Sequence, residues 1–242
     1  MNVKQKQIEV AESPPNLGLN NDKLLFISKG ELGIPAIKKV GVSALPKELV
    51  RYRKRLRSEA RKKKALSQMG VHFFAEDRDI EVVWSRPHKP LPYLSQFKST
   101  LTPDFSLYRD WPRVMQMWNV YRSRWVGCFW QSKGFQVIPT ISWSNGASWA
   151  FAFEGVEQGS LVAVSAIGVS RHDLTGMQMF IDGFREMVTQ LDPCGVIVSG
   201  KVPEACIGLV ELHTFDSLWD DARLQMEEAV QADKTKQEAP NR

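Results

Sequence analysis

Residues 101–143, LTPDFSLYRDWPRVMQMWNVYRSRWVGCFWQSKGFQVIPTISW, decide the fold. Five of the eight Trp fall here: Trp111, Trp118, Trp125, Trp130 and Trp143. The middle of the stretch predicts a helix. Asp110 is placed to cap the free N–H groups of the first turn, and Pro112 sits where its missing N–H costs no hydrogen bond. Val114, Met117, Trp118, Tyr121, Trp125, Cys128 and Phe129 recur at steps of three and four, which puts them on one helical face. On another face Val120, Ser123 and Gly127 are small enough to admit a close neighbour. Gly134 supplies a left-handed exit. STLTPDFSLY (99–108) predicts a short strand turning at Pro103, and the apolar run QVIPTISW (136–143) predicts a second. Strand, helix and strand in this order predict a right-handed crossover between parallel strands.

Outward from this unit the pattern repeats. VHFFA (71–75) predicts a strand with EDRD (76–79) at its exit. EVVWSRP and LPYLSQF form a connection or short helix. SLVAVSAIGV (160–169), GVIVSG (195–200) and GLVELHTF (208–215) predict further strands. A helix between the first two is capped by Thr175 or Asp173 and ends at Pro193 and Gly195, and SLWDDARLQMEEAVQ predicts a last one. The strands are apolar runs alternating with helices. That predicts an α/β fold with a mostly parallel sheet covered by helices on both faces. A partial or full β/α barrel shares the pattern.

The ends differ in composition. Residues 1–45 are polar and broken by Pro and Gly, and predict an extended N-terminal arm in which LLFIS (24–28) is an edge strand or clip. Pro46 opens a predicted basic helix (46–69) whose thin apolar stripe is Leu49, Tyr52, Leu56 and Ala60. Residues 70–230 form the single α/β domain, and 231–242 a disordered tail. Within the basic helix lie Arg51, Arg53, Lys54, Arg55, Arg57, Arg61, Lys62, Lys63 and Lys64 against Glu59 alone, a local charge of +8 in a chain of +5. Basicity is therefore a property of one segment. Such a run suits sequence-independent contact with DNA or RNA phosphates. It equally suits a solvated face, or pairing with the acidic residues of the last helix.

Cys128, Cys194 and Cys206 lie far apart without a CxxC pair, which fits a reduced compartment and no disulfide framework. The N-terminus has no apolar core of a secretory signal, and no run approaches the roughly 18 apolar residues of a membrane span. A soluble cytoplasmic protein is expected. His72, His88, His172 and His213 show no metal-binding spacing. GVIVSGK (195–201) formally fits GxxxxGK, yet Val202 replaces Ser/Thr and the middle is a buried-type strand, which excludes a P-loop.

In either α/β scaffold ligands bind beyond the C-terminal ends of parallel strands. Asp77 and Asp104 lie there as a candidate catalytic acid and base, or as ligands for a hard cation such as Mg²⁺. Asp104 can instead close an Asx turn after Pro103. Ser106, Tyr108, Trp143, Ser165 and Lys201 are further candidates to line a cleft. Arg122 and Arg124, on the main helix, can hold an anion bidentately or make ion pairs at a helix edge. Trp143 can stack on a base or pack in the core.

TPDFSLYRDWP (102–112), NVYRSRW (119–125), QSKGFQVIPTISW (131–143), VAVSAIGV (162–169) and VHFFAEDRDIEVVW (71–84) resemble blocks of a bacterial and phage family numbered 4417 among the domains of unknown function. The resemblance covers about 71–200 and leaves the basic segment before Val71 as an addition of this chain. It implies an intracellular protein carried by phages and mobile elements, and no activity. The expectation is thus a nucleic-acid-associated protein with a nucleotide- or phosphate-binding cleft. A non-catalytic domain that binds a host or phage protein is the first alternative, and a small-molecule enzyme the second.

Overall fold

The computed structural model describes residues 26–52, 66–167, 169 and 172–215. Among these described residues seven strands run parallel in two sheets. β1 (Glu48–Arg51), β2 (Met69–His72), β3 (Ser99–Leu101) and β4 (Val137–Ile138) form the first, and β5 (Leu161–Ser165), β6 (Gly195–Ser199) and β7 (Leu212–Phe215) the second. Between them run helices α1 (Asp77–Ser85), α2 (Leu91–Leu94), α3 (Arg113–Ser132), α4 (Trp149–Ala152) and α5 (Leu174–Leu191). A parallel bridge from Thr140 to Ala163 joins the sheets, with Ala163 N–H donating to Pro139 O (2.9 Å) and Ile141 N–H to Ala163 O (2.8 Å). Strand order therefore follows chain order, as in a β/α barrel. No closed barrel forms among the described residues, because β1 and β7 are not paired with each other.

The period-two alternation of strand side chains sorts the core. Val50, Met69, Val71 and Val137 pack with Ile80 and Trp84 of α1 and Trp125, Phe129 and Trp130 of α3. Val162, Val164, Val196 and Val198 pack with Phe180, Phe184 and Met187 of α5. The intervening residues, Leu49, Leu101, Ile138, Leu161, Ala163, Ile197 and Phe215, meet in a third cluster. Val40, Ala44 and Leu45, from the segment before β1, fill that side of the sheet.

The expected N-terminal arm is thus partly core. Ile34, Ile37, Val40 and Ala44 are buried, and Ile37 N–H donates to Gly155 O (2.9 Å). The expected basic helix is also corrected where it is described. Glu48–Arg51 is a strand paired with Met69–His72, and Leu66–Gln68 is a single 3-10 turn. Pairing with β2 sends Leu49 and Val50 into different clusters, and this tertiary gain overrides a weak helical stripe. Tyr52, assigned to that stripe, stacks on Phe73 at 4.9 Å. Arg53, Lys54, Arg55, Arg57, Arg61, Lys62, Lys63 and Lys64 lie outside the described residues, as do the last helix, the tail and residues 1–25.

α3 connects β3 to β4 and ends before Gly134. Pro112, not Asp110, occupies its N-cap position, and no side chain caps it. Its first turns are exposed at Val114 and Met115, whereas from Arg122 to Trp130 every residue is buried. The apolar face assigned from the sequence therefore holds only for the second half. Trp130, fully buried, donates its indole N–H to Pro87 O (3.0 Å), the usual requirement for a buried Trp. The small face is real: Ser123 donates to Pro103 O (2.7 Å), and a Cβ on Gly127 would meet Ile37 Cδ1 at 2.6 Å and Thr102 Cγ2 at 2.7 Å. Gly127→Val is accordingly expected to destabilise the protein by about 1–3 kcal/mol through overpacking, read as a lower midpoint in urea unfolding.

The QVIPTISW run contributes only Val137 and Ile138 to the ladder before the Thr140 bridge, and EDRD supplies the N-cap Glu76 and the first turn of α1. β6 is a fully buried strand across Gly195–Ser199, so the GxxxxGK spacing there has no loop with which to wrap a phosphate. No helix among the described residues is long and apolar enough to cross a membrane.

Candidate ligand-binding cleft at the strand ends

Beyond the C-terminal ends of β3, β4 and β5 the chain leaves a cleft of about 430 Å³. Asp104, Ser106, Leu107, Tyr108 and Arg109 reach it from the segment after β3. Ser142, Trp143 and Ser144 come from the segment after β4, Ser165 from the end of β5, and Asp173, Gly176 and Phe180 from the start of α5. Arg109 stands at the mouth, exposed, 3.8 Å from the Asp173 carboxylate. Five of the residues assigned from the sequence therefore meet in one cavity: Asp104, Ser106, Tyr108, Trp143 and Ser165.

Asp104 is the chemically distinct group. Ser142 donates its hydroxyl to Oδ1. Burial pushes the Asp104 carboxyl up to about 6, the Ser142 bond and the Arg124 charge opposing, and the Asp77 charge adding to the rise. A carboxyl at this value exchanges protons near neutrality, as acid–base groups need.

Asp77 does not line the cleft; it builds the floor. Its carboxylate accepts the Ser106 N–H (3.0 Å) and the Ser106 hydroxyl (2.9 Å), fastening the segment that carries Asp104 to the start of α1. From there a polar chain continues. Ser106 O accepts from Asn119 Nδ2 (2.7 Å), Asn119 Oδ1 accepts from Arg122 Nη2 (2.7 Å), and Arg122 Nη1 pairs with Glu81 (2.7 Å). The Arg122 guanidinium also lies 3.9 Å from the centre of the Phe105 ring.

Arg124 is spent likewise. It donates to Glu154 O (3.1 Å), Thr140 O (2.8 Å) and Ala152 O (2.9 Å), and burial lowers its guanidinium to about 10. Neither arginine faces the cleft as an anion clamp. Arg51 ends β1 with its guanidinium 3.9 Å from Asp79, and Lys201 is exposed beyond β6 and outside the cleft. Trp143 is both wall and packing. Its N–H donates to Met179 O (3.2 Å), its ring lies 5.3 Å from Phe180, and a Cβ on Gly183 would fall 2.1 Å from its Nε1. Cys128 is buried in α3, which pushes its thiol up to about 12 and makes it inert.

Sequence reasoning missed Arg109, Ser144 and Ile167, and took Asp173 only as a cap, which it also is, accepting from Gly176 N–H (2.9 Å). The available signal for Ser144 was its place directly after Trp143 at the same strand end. Among the described residues no group of three or more His, Cys, Asp or Glu gathers to hold a metal ion. With Asp77 committed to Ser106, a hard cation at Asp104 would take most of its oxygens from water or from a bound ligand.

Parallel strands in chain order, alternating with helices, define an α/β protein. More narrowly, this chain belongs to the family described as Domain of unknown function (DUF4417), which matches residues 26–216. That span reaches well before Val71, so β1 and the basic segment lie within the matched residues and the match is not confined to 71–200. The chain is similar to "Gene 1 protein" of Mycobacterium phage D29, 38% identical over 167 residues, covering 68% of this chain and 61% of that protein. It is also similar to "Gene 1 protein" of Mycobacterium phage L5, 38% identical over 154 residues, covering 63% of this chain and 67% of that one. The chain thus spans about three fifths to two thirds of these phage relatives. No solved structure matches significantly.

Proposed function

We propose that this phage-type protein associates with nucleic acid and that its strand-end cleft binds a nucleotide. One observation carries the reading. β1 runs parallel to β2, β3 and β4, so its C-terminal residue Arg51 lies at the same edge of the sheet as the ends of β3 and β4 that open into the cleft. The basic run therefore starts from the cleft's side of the molecule, and eight of its nine cations follow Arg51 directly in sequence. Phosphates drawn by that charge are brought towards a cavity with aromatic walls, hydroxyls and a carboxyl near neutrality. Its size suits a mononucleotide unit. Arg109, loosely paired at the mouth, is the cation available to a phosphate there.

Binding to labelled single- and double-stranded DNA and RNA across a salt series tests this reading. Affinity is expected to fall steeply with salt. Changing Arg53, Arg55, Arg57 and Arg61 together to Gln is expected to weaken binding at low salt by roughly tenfold or more, and to flatten the log–log salt slope by about 3 to 4 on duplex. Affinity that survives the change overturns the assignment of the basic segment. Absence of binding at low salt overturns the nucleic-acid reading and turns attention to protein partners. The exposed Val114, Met115 and Trp118 at the start of α3 are the first surface to probe for those.

A further inference from the structure

The polar groups of the cleft are not equally available to a ligand. Ser142 gives its hydroxyl to Asp104, Ser144 gives its own to Gln116 Oε1 (2.6 Å), and Ser106 gives N–H and hydroxyl to Asp77. Asp173 holds the Gly176 N–H and faces Arg109. Ser165 Oγ accepts from Ile167 N–H (3.3 Å), Tyr108 lines the cleft from an exposed position, and Oδ2 of Asp104 takes no hydrogen bond from any described residue. Arg124, whose charge reaches it, has its N–H groups committed to three backbone carbonyls.

An acceptor on the floor selects a ligand that brings N–H donors, since a second acceptor placed there would leave both unpaired and desolvated. Around it Ile141, Trp143, Ile167 and Phe180 form apolar and aromatic walls, which suit the faces of a flat heterocycle. Among nucleobases only guanine carries two adjacent donors, N1–H and N2–H₂, on its Watson–Crick edge. Adenine and cytosine set one donor beside an acceptor, and uracil sets its N3–H between two carbonyls. Each carboxylate oxygen has two lone pairs, so Oδ1 can keep the Ser142 bond and still accept from a base.

We propose that the cleft recognises the Watson–Crick edge of guanine, with Asp104 accepting from N1–H and N2–H₂ while Trp143 and Phe180 border the ring. The inference rests on the nucleotide reading of the same cleft and names its base. Discrimination of this kind amounts to roughly tenfold to a hundredfold per bidentate pair.

Calorimetric titration of the full chain with GMP, IMP, AMP, CMP and UMP at neutral pH tests it. IMP keeps N1–H and lacks the 2-amino group, so the comparison needs no variant. The expected order is GMP tightest, IMP weaker by roughly tenfold, and AMP, CMP and UMP weaker still. Asp104→Asn, with its melt recorded beside the wild type, is expected to erase the preference for GMP. Equal binding of GMP and IMP, or of all five nucleotides, overturns the guanine assignment and leaves a nucleotide cleft standing. Binding of none overturns the nucleotide reading itself, and the base assignment with it.

Discussion

Replacing Arg124 with methionine is expected to destabilise the protein by about 3–5 kcal/mol. The side chain is almost fully buried, and its N–H groups are divided among the carbonyls of Thr140, Ala152 and Glu154. Those carbonyls belong to the link between β4 and β5 and to the end of α4, so one guanidinium ties α3 to the seam between the two sheets. Methionine refills much of the volume and removes the cost of burying a charge, but it leaves three buried acceptors without donors. Lysine does not rescue the site, because one ammonium cannot reach three carbonyls in the plane that a guanidinium fork spans. Urea unfolding reads the effect directly, and a melting temperature lower by roughly 10 °C is expected for a domain of this size. A loss under about 1 kcal/mol would mean that water or a local shift satisfies these carbonyls.

Asp104→Asn is expected to act in the opposite direction on stability while erasing the preference for GMP. The folded Asp104 carboxyl titrates at about 6, above its ordinary value. Between about 4 and 6 the folded state thus holds a proton that the unfolded state has released. Stability is then full below the unfolded value, declines as pH rises through that window, and stays reduced above it. Asparagine keeps an acceptor for Ser142 and removes the titration. The variant is expected to be more stable than the wild type by about 1–2 kcal/mol at neutral pH, with no such gain near pH 4. A gain in stability coupled to a loss of that preference marks a group held at a cost for function. Thermal melts of both proteins across pH check the first half, and nucleotide titration checks the second. A variant less stable at every pH would identify Asp104 as a structural Asx-turn residue.

Much of the scaffold was legible because its signals are local. The helical periodicity around Trp118 to Phe129, the buried-type strands LVAVS and GVIVS, and the Asp173 cap all follow from neighbouring residues. The rule that parallel strands open their ligand sites at their C-terminal ends placed Asp104, Ser106, Tyr108, Trp143 and Ser165 in one cavity. What escaped is what distant residues decide. β1 was hidden in a basic, helix-like run because its pairing depends on Met69–His72, and a four-residue strand has little periodicity of its own. Asp77 was placed in the chemistry, whereas its partner Ser106, 29 residues away, makes it a strut. For Arg122 and Arg124 the sequence leaves anion holding and ion pairing both open for the same reason. Glu81 and the carbonyls that satisfy them lie across the fold, and no spacing in the sequence announces them.

The most direct test of the cleft is a carboxyl-detected NMR titration of protein labelled at aspartate, with Asp104→Asn used to assign the signal. The predicted result is a resonance titrating near 6 that vanishes in the variant and moves when GMP is added at neutral pH. A resonance titrating in the ordinary carboxylate range and unmoved by any nucleotide would contradict the account, leaving Asp104 a buried turn residue in a cleft that binds something else.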